Sequence, residues 1–285
     1  MRLLCGLAAG LLLAAETRVI LLGTGTPNAD PARSGPAVAV TVDGVVLLVD
    51  AGPGVVRRAA AAGLPMPALN RVFLTHLHSD HTLGLPDLTY SPWTLERADP
   101  LEIVGPPGTR AMVRHIEKAW AADRAIRLRG GEPANLTGWR SLAREIRAGT
   151  AWEGAGVRVT AIPVPHGNWR YAFGYLFETK DRRIVISGDT APSGALAAAC
   201  RGCDVLLHEV YSTSGFARRP PEWQRYHARY HTSARELGEL AARARPRLLV
   251  LYHQLFWGTS EEELVREVQA RFDGKVVSGK DLDVY

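Results

Sequence analysis

Cysteine is almost missing from this 285-residue chain, which has three. That rules out a disulfide framework. Cys200-Arg201-Gly202-Cys203 stands alone, without the second ligand pair of a structural zinc site or the βαβ context of a thioredoxin-type motif. Two buried or partly buried thiols are the expected state, with a local disulfide if the chain is exported. Lysine is as scarce. Only Lys118, Lys180, Lys275 and Lys280 stand among 34 basic residues, so the net charge of +5 rests on arginine. That balance admits an anionic substrate without demanding a nucleic acid. Beyond residue 15 no apolar run approaches the roughly 20 residues needed to span a bilayer, and no repeat or linker divides the chain. With 46% hydrophobic and 22% charged residues, residues 16–285 read as a single domain with a substantial core.

The start differs from the rest. Arg2 precedes an apolar run over residues 3–13, and Ala14 and Ala15 stand before the first acid, Glu16. This is the pattern of a short signal peptide. Residues 1–15 are expected to be removed on export to the periplasm or the medium, leaving no membrane anchor; a buried helix in their place would keep the protein cytoplasmic.

What is abundant is histidine in one place. Residues 71–88 read RVFLTHLHSDHTLGLPDL, with His76, His78, Asp80 and His81 packed behind the short apolar run Val72, Phe73 and Leu74. That run reads as a buried strand. Past a strand end, residues two apart still project from one side, so His76 and His78 can grip one cation together. Asp80 and His81 are expected on the next bend of the loop, holding a second. Imidazole suits Zn²⁺, and an added carboxylate accommodates Zn²⁺, Mn²⁺ or Fe²⁺. The alternative, a polar loop of caps and surface donors, does not account for so dense a cluster.

Thr75-His76-Leu77-His78-Ser79-Asp80-His81 resembles the His-X-His-X-Asp-His signature of the metallo-β-lactamase-fold hydrolases, and Gly84-Leu85-Pro86-Asp87-Leu88 is similar to their ribonuclease Z and arylsulfatase branch. The resemblance implies an α/β fold, an αββα four-layer sandwich, from Gly23-Thr24-Gly25-Thr26 to the C-terminus.

The remaining pattern agrees with such an alternation. Residues 17–22 read as a first strand. The two glycines after it do not open a helix, so a dinucleotide loop is excluded. Residues 37–42 and 45–49 form a hairpin about Asp43-Gly44, followed by Asp50 and a helix over 55–62. Strands are expected over 101–104, 157–164, 171–178, 183–187, 204–207 and 247–252. Helices are expected over 109–122, 192–200 and 260–272, and a capping box at Ser233-Ala234-Arg235-Glu236 opens another to residue 243. Residues 276–284 close as edge structure. Residues 124–153, rich in arginine with Trp139 and Trp152, read as a solvated cover over the active-site face.

Three more ligand candidates follow strand ends: His166, Asp189 and His253. By the resemblance, His76, His78 and His166 hold one metal, Asp80, His81 and His253 the second, and Asp189 bridges them. Two such zinc ions activate a bridging water to hydroxide and clamp attacking and leaving oxygens, which suits a phosphodiester or related ester. The bridging aspartate points away from the dedicated antibiotic-hydrolysing members. Leu206-Leu207-His208-Glu209 and His231-Thr232-Ser233-Ala234 resemble two further ribonuclease Z motifs, which implies that His231 donates a proton and Glu209 orients it. The catalytic candidates are therefore Asp80, His231 and Glu209. Asp50 is a candidate for steadying a ligand histidine, with helix capping near Pro53 as the alternative. His208 reads as a buried structural histidine, and His115 and His227 as surface residues.

Only 22 residues separate His166 from Asp189, too few for the tRNA-gripping arm that ribonuclease Z often carries there. With an export signal, this favours a small ester or phosphodiester over tRNA. Authentic tRNA 3′ processing, β-lactam or lactone hydrolysis and an inactive metal-binding scaffold are the alternatives, and a homodimer is open. Residues 213–230, with Arg218, Arg219, Trp223, Arg225 and Tyr226, are candidates for the substrate entrance, as are Trp93, Trp169 and Trp257; packing is the other role open to each tryptophan.

Overall fold

The first sheet is organised by a two-residue turn. Asp43 (φ 48°) and Gly44 (φ 80°) both take left-handed backbone, the geometry that lets β2 (Ala37–Val42) pair back on β3 (Val45–Val49). A computed structural model of the protein describes residues 16–285, so the signal-like segment lies outside the described residues. β1 (Arg18–Gly23) pairs antiparallel with β2, and α1 (Val55–Ala61) follows β3. Then come β4 (Arg71–Phe73), α2 (Ser79–Thr82), α3 (Leu85–Thr94), β5 (Leu101–Gly105), α4 (Thr109–Ala119), α5 (Ala121–Arg129) and β6 (Ser141–Glu145). The six strands lie in chain order in one mixed sheet.

The second half repeats the idea, its seven strands again lying in chain order. Its elements are β7 (Gly149–Gly154), β8 (Val157–Pro163), β9 (Phe173–Glu178), β10 (Arg183–Ile186), α6 (Gly194–Cys200), β11 (Val205–Tyr211), α7 (Thr213–Ala217), α8 (Pro221–Tyr230), α9 (Ala234–Ala244), β12 (Leu248–Leu255), α10 (Glu261–Gln269) and β13 (Val276–Ser278). They form a seven-stranded mixed sheet, antiparallel from β7 to β10 and parallel from β10 to β13.

The apolar residues partition into three layers of core. Val38, Val40, Leu47 and Phe73 of the first sheet meet Val159, Tyr175, Phe177 and Ile186 of the second between the sheets. Val55, Leu85, Leu88 and Val113 cover the outer face of the first sheet, and Leu196, Leu237, Leu240, Leu264 and Val268 that of the second. Helices therefore flank two face-packed sheets, the α/β sandwich expected of the sequence.

Several local expectations are corrected. Asp80 and His81 lie on the short helix α2 rather than on a loop bend. The helix expected over 109–122 breaks at Trp120 and resumes as α5. Residues 124–153 are not a cover: they supply α5 and the edge strands β6 and β7, one for each sheet. Arg124 there rests over Trp139 at 4.2 Å, and Trp152 takes Arg71 of β4 over its ring at 4.5 Å. The strand expected to stop at residue 207 runs on through His208 and Glu209, and the one expected to stop at residue 252 runs through His253. Cys200 and Cys203 are both buried and joined as a disulfide at the end of α6 rather than left as thiols.

Candidate metal centre

Each candidate ligand arrives from a strand end or strand irregularity, and all arrive on one rim. Beyond β4 the chain passes Thr75 to His76 and His78, and His78 caps the turn of α2 that carries Asp80 and His81. His166 follows β8 and Asp189 follows β10. Before Asp189, Gly188 takes φ 60°, and a Cβ there would lie 2.8 Å from the Thr75 Cβ, so only glycine lets the two halves approach this closely. His253 enters differently. The ladder between β11 and β12 pairs Glu209 with Tyr252 and then Val210 with Gln254, so His253 is a bulge at φ 47°. A bulge re-aims one side chain without ending the strand.

The donor atoms fall into two groups. His76 Nε2 and His166 Nε2 lie 2.9 and 3.2 Å from His78 Nδ1, and Asp189 Oδ2 is 3.9 Å from His76 Nε2. Asp80 Oδ2 lies 3.6 Å from His81 Nε2 and 3.3 Å from His253 Nε2. Asp189 Oδ1 is 3.4 and 3.6 Å from the same two nitrogens. One carboxylate thus turns one oxygen to each group. Atoms 2.0–2.1 Å from a tetrahedral zinc lie roughly 3.3 Å apart, so both sets are spaced as ligands of a borderline metal would be. His81 Nε2 and Asp189 Oδ1 are buried and have no hydrogen-bond partner among the described residues, which fits donors meant for a cation.

Burial sets the charge of these groups. It holds His76 well below the ordinary imidazole pKa, with His81 adding to the effect, and lowers His78 and, to about 4, His166. These are neutral rings, the form that binds metal. Burial acts the same way on His81 and His253, but there the Asp189 carboxylate, with Asp50 and Asp80, outweighs it and raises both. Burial would raise Asp189; His253 and His81 bring it well below the carboxylate range.

A supporting shell surrounds the donors. Asp50, at φ 61° beyond β3, accepts from His81 Nδ1 at 2.7 Å and from the Thr75 backbone N–H at 2.8 Å. Gly54, not Asp50, stands at the start of α1. Thr75 Oγ1 also meets His76 Nδ1 at 2.9 Å, a contact the sequence does not announce. His166 Nδ1 meets the Tyr230 carbonyl at 2.8 Å. Trp169 Nε1 donates to His78 Nε2 at 2.9 Å, leaving the proton of a neutral ring on Nδ1. His78 would hold a cation through Nδ1 with its proton on Nε2 instead.

His231 Nδ1 faces Glu209 Oε2 at 3.4 Å, and Glu209 Oε1 is held by the backbone N–H groups of Thr232 (2.9 Å) and Thr190 (3.3 Å). Burial lowers His231 to about 4 and, with Asp189 nearby, pushes Glu209 well up. His208 is fully buried, as expected, with Nδ1 2.6 Å from the Glu209 carbonyl.

A pocket of about 400 Å³ opens over this centre, floored by His78, Asp80, Asp189, His231 and His253. Its wall includes Arg219, Trp223, Tyr226 and Trp257 of the expected entrance; Arg218 and Arg225 do not line it, Arg218 donating instead to the Trp257 carbonyl, and Trp93 is in the core. His227 corrects an expectation: it is 8% exposed and lines the pocket from α8, whereas His115 is exposed. Its neighbours one turn away on α8, Trp223 and Tyr230, are aromatic, and only that spacing hints at an inward face.

Comparison with known proteins agrees with this geometry. The family model of the beta-lactamase superfamily domain matches residues 46–254. The chain is 36% identical over 270 residues to a ribonuclease Z of Mycobacterium bovis (strain BCG), covering 93% of this chain and 96% of that one. Among solved structures, the metallo-beta-lactamase fold protein YhfI of Bacillus subtilis superposes with a TM-score of 0.75 at 16% identity, over 94% of this chain and 98% of that one. The short form of human tRNase Z gives 0.71 at 21% identity, over 94% and 98%. With the family model spanning most of its length and such a relative matched nearly end to end, the chain belongs to the metallo-β-lactamase superfamily, as a ribonuclease Z-like metal-dependent hydrolase.

Proposed function

We propose that this hydrolase carries two divalent metal ions, zinc by preference with Mn²⁺ or Fe²⁺ as substitutes, and cleaves a compact phosphodiester or related ester. The observation that carries the reading is Asp189, with one oxygen turned to each donor group. His76, His78 and His166 would hold one ion, Asp80, His81 and His253 the other, with Asp189 common to both. Bound there, the metals supply the positive charge that acidifies water and steadies charge on the reacting oxygens.

The chain's own residues do the rest. His231, whose Nδ1 lies 3.4 Å from Glu209 Oε2, lines the pocket, where it would serve as a proton donor to the leaving oxygen. Asp50 fixes the His81 ring so that Nε2 faces the centre. Asp50→Ala is expected to weaken metal binding about 10- to 100-fold, the usual effect of removing such a partner. Competition with a chromophoric chelator reads this, and an unchanged affinity would remove Asp50 from the supporting shell.

Compactness of the substrate is supported by the β9–β10 hairpin, which fills the interval between His166 and Asp189 and carries no protruding arm among the described residues. Export through residues 1–15 belongs to the same reading and is supported by the Cys200–Cys203 disulfide, a bond favoured in oxidising compartments. The test is hydrolysis of bis(p-nitrophenyl) phosphate by zinc-replete protein, with nitrocefin in parallel. Phosphodiester turnover is expected. Nitrocefin turnover with an inert phosphodiester would move the reading to lactams and lactones, and inertness toward both would revive the inactive scaffold.

One second reading has its own support. Identity to the mycobacterial ribonuclease Z over 96% of that protein favours tRNA 3′ processing, and specific cleavage of a tRNA precursor at its 3′ end would establish it.

A further inference from the structure

His166 is held at the metal centre differently from its neighbours. His81 leans on the Asp50 carboxylate and His76 on the Thr75 hydroxyl, both buried side chains. His166 Nδ1 instead donates to a main-chain carbonyl, that of Tyr230, at 2.8 Å, and this carbonyl belongs to the last turn of α8. It is one of the helix-end carbonyls that have no partner within their own helix. α8 buries a single side chain, His227, and has no side-chain cap at its start. A helix so lightly held frays at its ends. A carbonyl that moved with it would let the His166 ring turn.

The chain just beyond His166 prevents that movement. Gly167 N–H donates to the Arg229 carbonyl at 3.0 Å, and Arg229 Nη2 donates to Asn168 Oδ1 at 3.0 Å. Asn168 N–H reaches the Tyr230 hydroxyl at 3.3 Å. The phenol ring itself lies against Gly167, which takes φ 53°, and a Cβ at that position would collide with the ring. Only glycine gives the ring this seat. Tyr230 also stacks on Tyr226, with ring centres 4.3 Å apart at 21°. It does not line the pocket, so contact with substrate does not account for it.

We infer that Tyr230 is a positioning residue: its ring, seated on Gly167 and stacked on Tyr226, fixes the carbonyl that orients His166 toward the first donor group. The clamp reaches further than one ligand. His231 follows Tyr230 directly, and α8 carries Tyr226 and His227 into the pocket wall. Order in α8 and metal binding through His166 are therefore coupled, and such a coupling is reciprocal. α8 is steadied when His166 holds an ion, and the ion is held more tightly when α8 is steady. This rests on the reading of His76, His78 and His166 as ligands of one ion.

Tyr230→Ala and Tyr230→Phe are compared with wild type by zinc competition against a chromophoric chelator, by amide hydrogen exchange with and without zinc, and by turnover of bis(p-nitrophenyl) phosphate. Wild type is expected to take up both ions, and zinc to slow exchange across α8. Tyr230→Ala is expected to bind one ion about tenfold more weakly with the other unchanged, and to lower kcat about tenfold at little-changed KM. Zinc should no longer slow exchange across α8 in that variant. Tyr230→Phe keeps the ring and loses only the 3.3 Å hydrogen bond, so it is expected within about threefold of wild type in each measurement. An alanine variant that holds both ions as wild type does, or that loses both equally with a lowered melting temperature, overturns the role of Tyr230 and leaves the two-metal reading intact. A wild type that takes up no metal overturns that reading, and the inference with it.

Discussion

Asp189→Ala lowers kcat/KM for bis(p-nitrophenyl) phosphate about a thousandfold, roughly 4 kcal/mol of barrier, and reduces the metal content of the purified protein. The size follows from where Asp189 sits. Its carboxylate is 3% exposed, and its oxygens lie within 3.9 Å of His76, His81 and His253. Removing it takes a ligand from both donor groups at once and deletes the negative charge between two candidate cations. What remains is three donors on each side, enough to keep some metal but not to couple the groups. Asp189→Asn tells the two losses apart. It keeps the shape and one oxygen but removes the charge, so its activity is expected between wild type and alanine. Metal analysis of both variants, beside a thermal melt to show that they fold, checks the argument. An alanine variant within tenfold of wild type, metal-replete, would show that the donor groups work independently.

The centre was largely readable before its geometry was known because its ligands are tied to strand ends. A strand is set by a few consecutive apolar residues, such as Val72 and Phe73, and whatever follows must leave the sheet on the rim. His76, His78, His166 and Asp189 all obey that logic. His253 does so only approximately, since its bulge depends on register with β11, and register is a property of two strands rather than one. The helical placement of Asp80 and His81 has the opposite problem. A four-residue helix is too short to show a period. His227 is hidden in the sequence because α8 is made of charged and aromatic residues rather than aliphatic ones, and which face turns inward depends on a pocket assembled from distant loops.

The edges of the sheets were harder for a related reason. β6 (SLARE) and β7 (GTAWEG) have half-exposed or exposed residues at nearly every position, so no apolar alternation marks them as strands. Their pairing is imposed by β5 and β8, which are strongly apolar. Two arginines in this region, Arg124 and Arg140, accordingly serve the scaffold by resting over Trp139.

Arg97→Met is expected to destabilise the protein by about 3–5 kcal/mol, which for a chain of this size lowers the melting temperature by roughly 10 °C. Arg97 is fully buried and donates to four main-chain carbonyls: Leu69 at 2.9 Å, Leu88 at 2.8 Å, Thr89 at 2.7 Å and Gly138 at 2.7 Å. One of these is forced by the sequence. Pro92 lies inside α3 and has no N–H, so the Leu88 carbonyl loses its helical partner, and Arg97 replaces it. Gly138 is tied to the same knot, since a Cβ there would meet the Arg97 carbonyl at 1.8 Å. Burial lowers the guanidinium to about 10, with Asp99 opposing, so the side chain stays charged at neutral pH. Replacing a buried ion by an apolar residue is sometimes harmless, because desolvation is relieved. Here the partners are main-chain carbonyls that remain polar and buried whatever replaces Arg97, so the loss of donors dominates. Arg97→Lys should recover little, because one ammonium cannot serve carbonyls on α3, the segment before β4 and the loop at Gly138 together. Thermal unfolding of both variants followed by circular dichroism decides it. A Met variant melting within 2 °C of wild type would mean that water or local rearrangement satisfies those carbonyls. Because α3 begins three residues after the helical turn bearing Asp80 and His81, slackening it is also expected to loosen the second donor group.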